Sequence, residues 1–282
     1  FHPGFRNSVY SYSISLLHPK VIADLALEKH GLEIMERPAG TLSILDGDHL
    51  QLTRDSKQAR AAVARFSRRD AERLEAFENE IGSVARALRA LAMEAPPNFG
   101  GGWRDALALL KGGNALRRLS SKHQMVLGEL MVRSIGDHLD AWFEGEALKG
   151  VLGLEGVIGN FADPNQAGTA YVLLHHAFGE VKGREGAWGI ARGGMGAITG
   201  AMAASARSRG VRIELEAPVA RILVEKDRAC GVVTEDGREL RAPIVAANVH
   251  PQVLLQRLLD GHGLDQDDQR RIDNYRSHSA TL

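Results

Sequence analysis

The stretch Ala187-Trp188-Gly189-Ile190-Ala191-Arg192-Gly193-Gly194-Met195-Gly196-Ala197-Ile198-Thr199-Gly200 passes from a short apolar segment, through a cluster of glycines, into a run of small residues. That order predicts a strand, a tight bend and a helix, because glycine enters left-handed backbone freely and alanine favours helix. The helix is expected over residues 197–209, with Gly210 as its stop. Beyond it, residues 211–216, 219–225, 230–234 and 244–248 are β-type runs, and Asp236-Gly237 marks a turn. The C-terminal third therefore reads as α/β.

Upstream the character changes. Residues 41–45 and 49–53 form short β-type runs around Asp46-Gly47-Asp48, a hairpin signal. Asp55 with Gln58, and Ser67 with Asp70, have the spacing of capping boxes. The second opens a helix expected to reach Met93, with Leu74, Phe77, Ile81, Val84 and Leu88 on one face. The Pro- and Gly-rich residues 94–102 break it. Further helices are expected over 103–111, 125–143 and 146–157, and one starting at Asp163 with Pro164 at its first turn and running to Phe178. Near the start, residues 21–29 read as a helix entered through Pro19 and stopped by Gly31, with Ile22, Leu25 and Ala26 on one face. The layout is α/β, a helical insert, then α/β again.

Composition narrows the function. The 282 residues hold 35 basic and 35 acidic side chains, so the formal net charge is zero and no positive field draws a nucleic acid. The lone Cys230 excludes an intrachain disulfide framework and a Cys-built zinc site, and suits a reducing compartment. No apolar run approaches the roughly 18–20 residues of a membrane span, and no basic-then-apolar signal segment is present. Glycine, at 31 residues, is enriched over the usual share of about 7%. The opening Phe1-His2-Pro3-Gly4-Phe5 reads like the middle of a longer polypeptide.

Several constellations could carry chemistry. A glycine bend at the start of a helix can cradle a phosphate on backbone amides, and Glu214 and Glu216 follow at about the distance of a ribose contact. The register departs from a dinucleotide fingerprint, however, since Thr199 stands where G-x-G-x-x-G started at Gly194 needs its last glycine. The alternatives are a small NAD-binding module over Gly194 to Glu214, or a bend that brings backbone close to something flat or bulky. His175 and His176 project about 100° apart on a helix and cannot serve one metal as an i, i+4 pair does. No metal site is expected, and neither G-x-S-x-G nor H-E-x-x-H occurs. Ser8, Tyr10, Ser11, Tyr12, Ser13 and Ser15 form the densest hydroxyl cluster, suited to a ribityl chain or pyrophosphate, or to an ordinary polar loop.

The strings Phe5-Arg6-Asn7-Ser8-Val9-Tyr10-Ser11-Tyr12-Ser13-Ile14-Ser15-Leu16-Leu17-His18-Pro19, Trp142-Phe143-Glu144, Tyr171-Val172-Leu173-Leu174-His175-His176 and Gly186-Ala187-Trp188-Gly189, with the glycine bend, resemble the phytoene-desaturase-like FAD-dependent oxidoreductases in order and spacing. The resemblance implies an incomplete FAD/NAD(P)-binding Rossmann-like domain (residues 1–40 and 186–282) around a largely helical substrate-binding insert with a short β-hairpin (41–185). It implies FAD in the full-length parent, held by Ser11, Tyr12, Gly193, Gly194, Met195, Val219 and Asn248. Val219 would meet adenine through its backbone. Tyr171, His175 and Trp188 would line the cavity for a small apolar, isoprenoid-like substrate that is desaturated or isomerised. The family's G-x-G-x-x-G unit is absent from this chain, which alone is therefore expected to be inactive and colourless. No catalytic side chain is assigned, since a flavin needs mainly orientation and a dry cavity. A lipid-like substrate suggests peripheral membrane contact, in the cytoplasm or, in a eukaryote, the mitochondrion. The competing class is a non-catalytic scaffold of the same fold without its flavin.

Overall fold

The computed structural model describes residues 3–4, 8, 11, 13–37, 39–53, 55–91, 94, 98, 101–177 and 179–277. They form two compact units, one running to Arg209 and one starting at Gly210, and together they make the mixed helix-and-strand, α/β chain that the sequence implies.

In the first unit, α1 (Pro19–Asp24) and a 3-10 turn (Leu27–His30) replace the single helix expected over 21–29. The break is at Ala26, whose φ of +49° is left-handed. It buries Leu27 completely and leaves the Leu25 carbonyl to accept a 2.7 Å hydrogen bond from Ser205 Oγ. Then come β1 (Ile34–Glu36), the hairpin β2 (Ala39–Leu45) and β3 (Asp48–Thr53), α2 (Ser56–Ala64) and α3 (Arg68–Leu91). The hairpin turns at Gly47, as its Asp-Gly signal predicts. Asp55 caps α2 by accepting from the Lys57 and Gln58 amides at 2.9 and 3.0 Å. Ser67 opens α3, but Asp70 does not complete a capping box. Fully buried, it accepts instead from the amides of Glu144 (3.0 Å) and Gly145 (2.8 Å), and so ties the start of α3 to that of another helix.

The next helices are α4 (Trp103–Arg117), α5 (Ser121–Val132), α6 (Ile135–Trp142), α7 (Glu146–Val157) and α8 (Ala170–Ala177). The helix expected over 125–143 is two helices. Arg133 is extended and Ser134 caps α6 by accepting from the Asp137 amide at 3.0 Å, a local bond that outcompetes helix continuation. The Asp163-Pro164 signal gives only a turn: Asp163 accepts from Asn165 at 2.8 Å, Gly168 turns left-handed (φ +86°), and the helix starts at Ala170. Its expected end at Phe178 lies outside the described residues. The apolar face read on α3 is correct: Leu74, Phe77, Ile81 and Val84 are buried with Leu130, Ile135, Leu139, Val151 and Leu174 in one helical cluster.

A second cluster closes the unit. Hairpin β4 (Glu180–Val181) and β5 (Arg184–Glu185) leads into β6 (Gly189–Ala191) and α9 (Gly196–Ser208). Strand β6 pairs antiparallel with β1, and Gly189 exchanges two 2.7 Å backbone hydrogen bonds with Ile14. Ile14, Leu27, Leu32, Ile34, Val181 and Ala201 are buried there.

The second unit contains the antiparallel sheet β7 (Val219–Glu225), β8 (Arg228–Thr234) and β9 (Glu239–Arg241), a π-helical segment (Val253–Leu258) and α10 (Gln266–Asp273). Strand β9, short and fully exposed, carries too weak an apolar pattern to be read from sequence. Residues 211–216 and 244–248, expected as strands, are not: no described segment pairs with them, and an extended segment becomes a strand only with a ladder partner. Leu215 and Ile244 are exposed as a result.

Candidate functional site

The bend before α9 is built from backbone. Gly193 and Gly194 both lie in the left-handed region, at φ +87° and +85°, which only glycine occupies without strain. Ser8 Oγ accepts a 3.0 Å hydrogen bond from the Met195 amide and so holds the bend to the N-terminal segment. A Cβ on Gly194 would come within 3.4 Å of that same oxygen. Among the described residues no side chain caps α9, and the space around Gly196 is open, with none of their atoms within 4 Å of where a Cβ would stand. The amides of Met195, Ala197 and Ile198 are taken up by Ser8 Oγ and by the Gly194 and Met195 carbonyls, so what the bend offers is close approach of backbone to a planar group.

Trp188, five residues before Gly193, lines a cavity of about 920 Å³ in the same unit. Its apolar wall comes from Phe77 and Ile81 of α3, Val151 and Leu152 of α7, Leu173 of α8 and Leu52 of β3. Phe77 is fixed edge-on against Phe143 (5.0 Å between centroids) and Trp142 (5.5 Å), so this wall is rigid. A ligand-sized space with an apolar wall and a set of charged groups beside it has the character of a small-molecule site.

The polar groups of the cavity fall into two sets. Arg86, Arg89, Arg184 and Arg37 form one, and each has a partner. Arg86 meets Glu185 at 3.5 Å, Arg89 pairs with Glu180, Arg184 meets Glu36 at 3.2 Å, and Arg37 donates to the Gly40 carbonyl at 3.1 Å. The other set is carboxylic. Glu155 lies on the same face of α7 as Val151 and Leu152, half-buried, and burial alone pushes its carboxyl up to about 7. Glu78 is raised too, first by burial and then by the neighbouring Glu75.

The other expected site residues are distributed as follows. Ser11 is exposed and donates a 3.4 Å bond to the Ser13 carbonyl, and Tyr12 lies outside the described residues. Tyr171 and His175 are exposed on α8 and do not line this cavity. Leu173 and Ala177 line it instead, two positions or about 200° around the helix from them. Val219 begins β7 and Asn248 is exposed in an unpaired segment; both belong to the second unit. Among the described residues no group of three or more His, Cys, Asp or Glu could hold a metal, and no helix is long and apolar enough to cross a membrane. Sequence reasoning missed Glu155. The available signal was a carboxylate in an apolar helical stripe, between Val151 and Ile158.

Comparison with known proteins adds an independent line. The family model described as flavin containing amine oxidoreductase matches residues 36–281. Pyridine nucleotide-disulfide oxidoreductase domain-containing protein 2 of Rattus norvegicus is 34% identical over 280 residues, covering 91% of this chain and 47% of that protein. Its Mus musculus counterpart is 35% identical over 277 residues, with the same coverage. Hydroxyneurosporene desaturase of Cereibacter sphaeroides is 41% identical over 87 residues, 31% of this chain and 17% of that protein. The chain thus spans about half the length of the first two relatives.

Proposed function

The chain belongs to the flavin containing amine oxidoreductase family, and from that premise we propose that it is part of an FAD-dependent oxidoreductase acting on an apolar, isoprenoid-like substrate by desaturation or isomerisation. The observation that carries this reading is the union, within one unit, of a glycine bend built for close backbone approach and a largely apolar cavity walled by Trp188. When bound, the flavin supplies hydride acceptance from a substrate carbon. The residues of the chain position and exclude. Gly193 and Gly194 keep side chains away from the bend, Ser8 fixes it, and the space beside Gly196 at the start of α9 is open. Phe77, Ile81, Leu152 and Leu173 supply dry wall against which an apolar chain lies without losing hydrogen bonds. Ser11, Tyr12, Met195, Val219 and Asn248 remain proposed cofactor contacts, and Tyr171 and His175 proposed substrate contacts, on the family resemblance. The desaturase named among the relatives supports the substrate class over 31% of this chain. Peripheral lipid contact fits the exposed Trp103, Leu107 and Leu110 of α4.

The test is flavin absorbance of the full-length polypeptide. A band near about 450 nm is expected, as for an oxidised flavin, and Gly194→Leu should weaken it or abolish turnover by straining the bend and crowding Ser8. A colourless full-length protein overturns the assignment; normal flavin content and turnover in the variant removes Gly194 from the site.

A further inference from the structure

Glu155 breaks a pattern. The cavity-lining positions of α7 are Val151, Leu152, Leu154 and Glu155, followed by Ile158 just past the end of the helix, and all but Glu155 are aliphatic. A carboxyl in such a setting is costly unless it is paired or hydrogen-bonded, and among the described residues Glu155 has neither kind of partner. Sites where local chemistry contradicts the surrounding pattern tend to be functional.

The nature of the missing partner follows from the other charged groups of the cavity. Arg86, Arg89 and Arg184 are paired with Glu185, Glu180 and Glu36, so their charges are already compensated, and Arg37 donates to the Gly40 carbonyl. Glu78 from α3 and Glu185 from β5 are the other carboxylates lining the space, and Glu185 is already shared between Arg86 and Arg89. Burial alone moves Glu155, with no basic group holding it ionised. With its carboxyl pushed up to about 7, Glu155 is mostly protonated at about pH 6, where it can donate a hydrogen bond to an acceptor oxygen.

We propose that Glu155 is a specificity-determining residue of this cavity, donating a hydrogen bond to a carbonyl-type oxygen on an otherwise apolar ligand. This deepens the reading of the cavity as an apolar substrate site and rests on it. The ligand chain lies along Phe77, Ile81 and Leu152, and its oxygen is read at α7. A pure hydrocarbon of the same length leaves the carboxyl unsatisfied and binds more weakly.

The experiment is isothermal titration calorimetry of the chain with three ten-carbon probes: 2-decanone, decylamine and decanoate. The expected order places the ketone first. Its affinity falls about tenfold between about pH 6 and pH 8.5, as the Glu155 carboxyl ionises and stops donating. Glu155→Gln, which keeps an N–H donor at the same place, retains ketone binding and loses the pH dependence. Glu155→Leu, checked for folding by circular dichroism, binds the ketone about fivefold or more weakly at about pH 6. Decylamine binding tighter than the ketone and strengthening with pH would make Glu155 a cation site and overturn the proposal. Decanoate binding tightest, no ketone binding, or ketone binding unchanged in the leucine variant, overturns it equally. No flavin enters this assay, so ketone recognition by a chain whose full-length form is colourless would break the flavin assignment and leave the subsite standing.

Discussion

Phe77 and Gly189 sit in the two apolar clusters of the first unit, and they are held in place by opposite means. Phe77 is 3% exposed and fills space, edge-on to Trp142 and Phe143 and 5.9 Å from His138. Gly189 vacates space. A Cβ there would stand 2.7 Å from Ile34 Cγ2 and 3.1 Å from the Met35 carbonyl, while its own amide and carbonyl are both bonded to Ile14. The helical cluster is thus stabilised by side-chain volume, and the glycine-rich cluster by backbone proximity. Buried volume can be traded among apolar residues at modest cost, whereas proximity tolerates nothing added. A region whose backbones must meet closely is also where a flat ligand reaches main-chain amides, which is why the glycine bend, more than the helical core, bears on cofactor binding.

If that contrast holds, removing volume should hurt most in the helical cluster. Phe77→Ala should lower the free energy of unfolding by about 4 kcal/mol, the range for deleting a buried aromatic ring, measured by urea denaturation. A loss under about 1 kcal/mol would mean that the cluster closes over the gap and is not specified by that ring.

Adding volume should show the reverse. Gly189→Ala should cost about 2 kcal/mol, because its neighbours include a main-chain carbonyl that cannot move alone. Gly150→Ala in α7, where a Cβ meets no atom within 4 Å, should instead stabilise by about 0.5–1 kcal/mol through helix propensity. Hydrogen exchange read by mass spectrometry separates the regions. Protection should fall at Ile14, β1 and β6 in the Gly189 variant and remain in the helices. Equal responses to the two substitutions would erase the distinction between the clusters.

The same contrast governs how much was legible beforehand. Volume-driven structure announces itself by period, so the face of α3, the bounds of α7 and the β2–β3 hairpin follow from spacing alone. Helix breaks were harder. Arg133-Ser134 interrupts an unbroken apolar pattern because a serine hydroxyl captured the Asp137 amide, a short-range competition that periodicity does not register. The Ser67–Asp70 spacing signals a capping box, and the Asp70 amide does donate to Ser67 Oγ at 3.1 Å, but the Asp70 carboxylate takes partners 74 and 75 positions away. Within the site, the glycine bend was visible because only glycine permits it. Glu155 became visible only once α3 and α7 were seen to face one space, since a single carboxylate in a helix reads first as a solvated residue. Extended runs 211–216 and 244–248 show the remaining limit: a strand is a property of two segments, and the pattern describes one.

His138 supplies the smallest test, because it is a polar residue placed in the volume-driven cluster. It is 2% exposed, and neither ring nitrogen has a hydrogen-bond partner among the described residues. Burial, followed by the Arg133 charge, holds its pKa below the usual 6.5 against the opposing pull of Glu129 and Glu80. The ring is therefore neutral in the folded protein, while the unfolded chain takes up a proton below about pH 6.5. Stability linked to His138 is fully present above that value and is lost as pH falls from it toward the depressed folded pKa. His138→Leu should remove this loss and, at about pH 8, also gain about 1 kcal/mol by replacing two unsatisfied nitrogens with apolar atoms of similar bulk. The difference between the two proteins should then widen on acidification from about pH 7 to pH 5 in parallel urea titrations. A difference that stays constant across that range would show that the ring finds a proton partner on folding. A less stable leucine variant would show that its two nitrogens are satisfied in solution, and that the helical cluster depends on more than volume at this position.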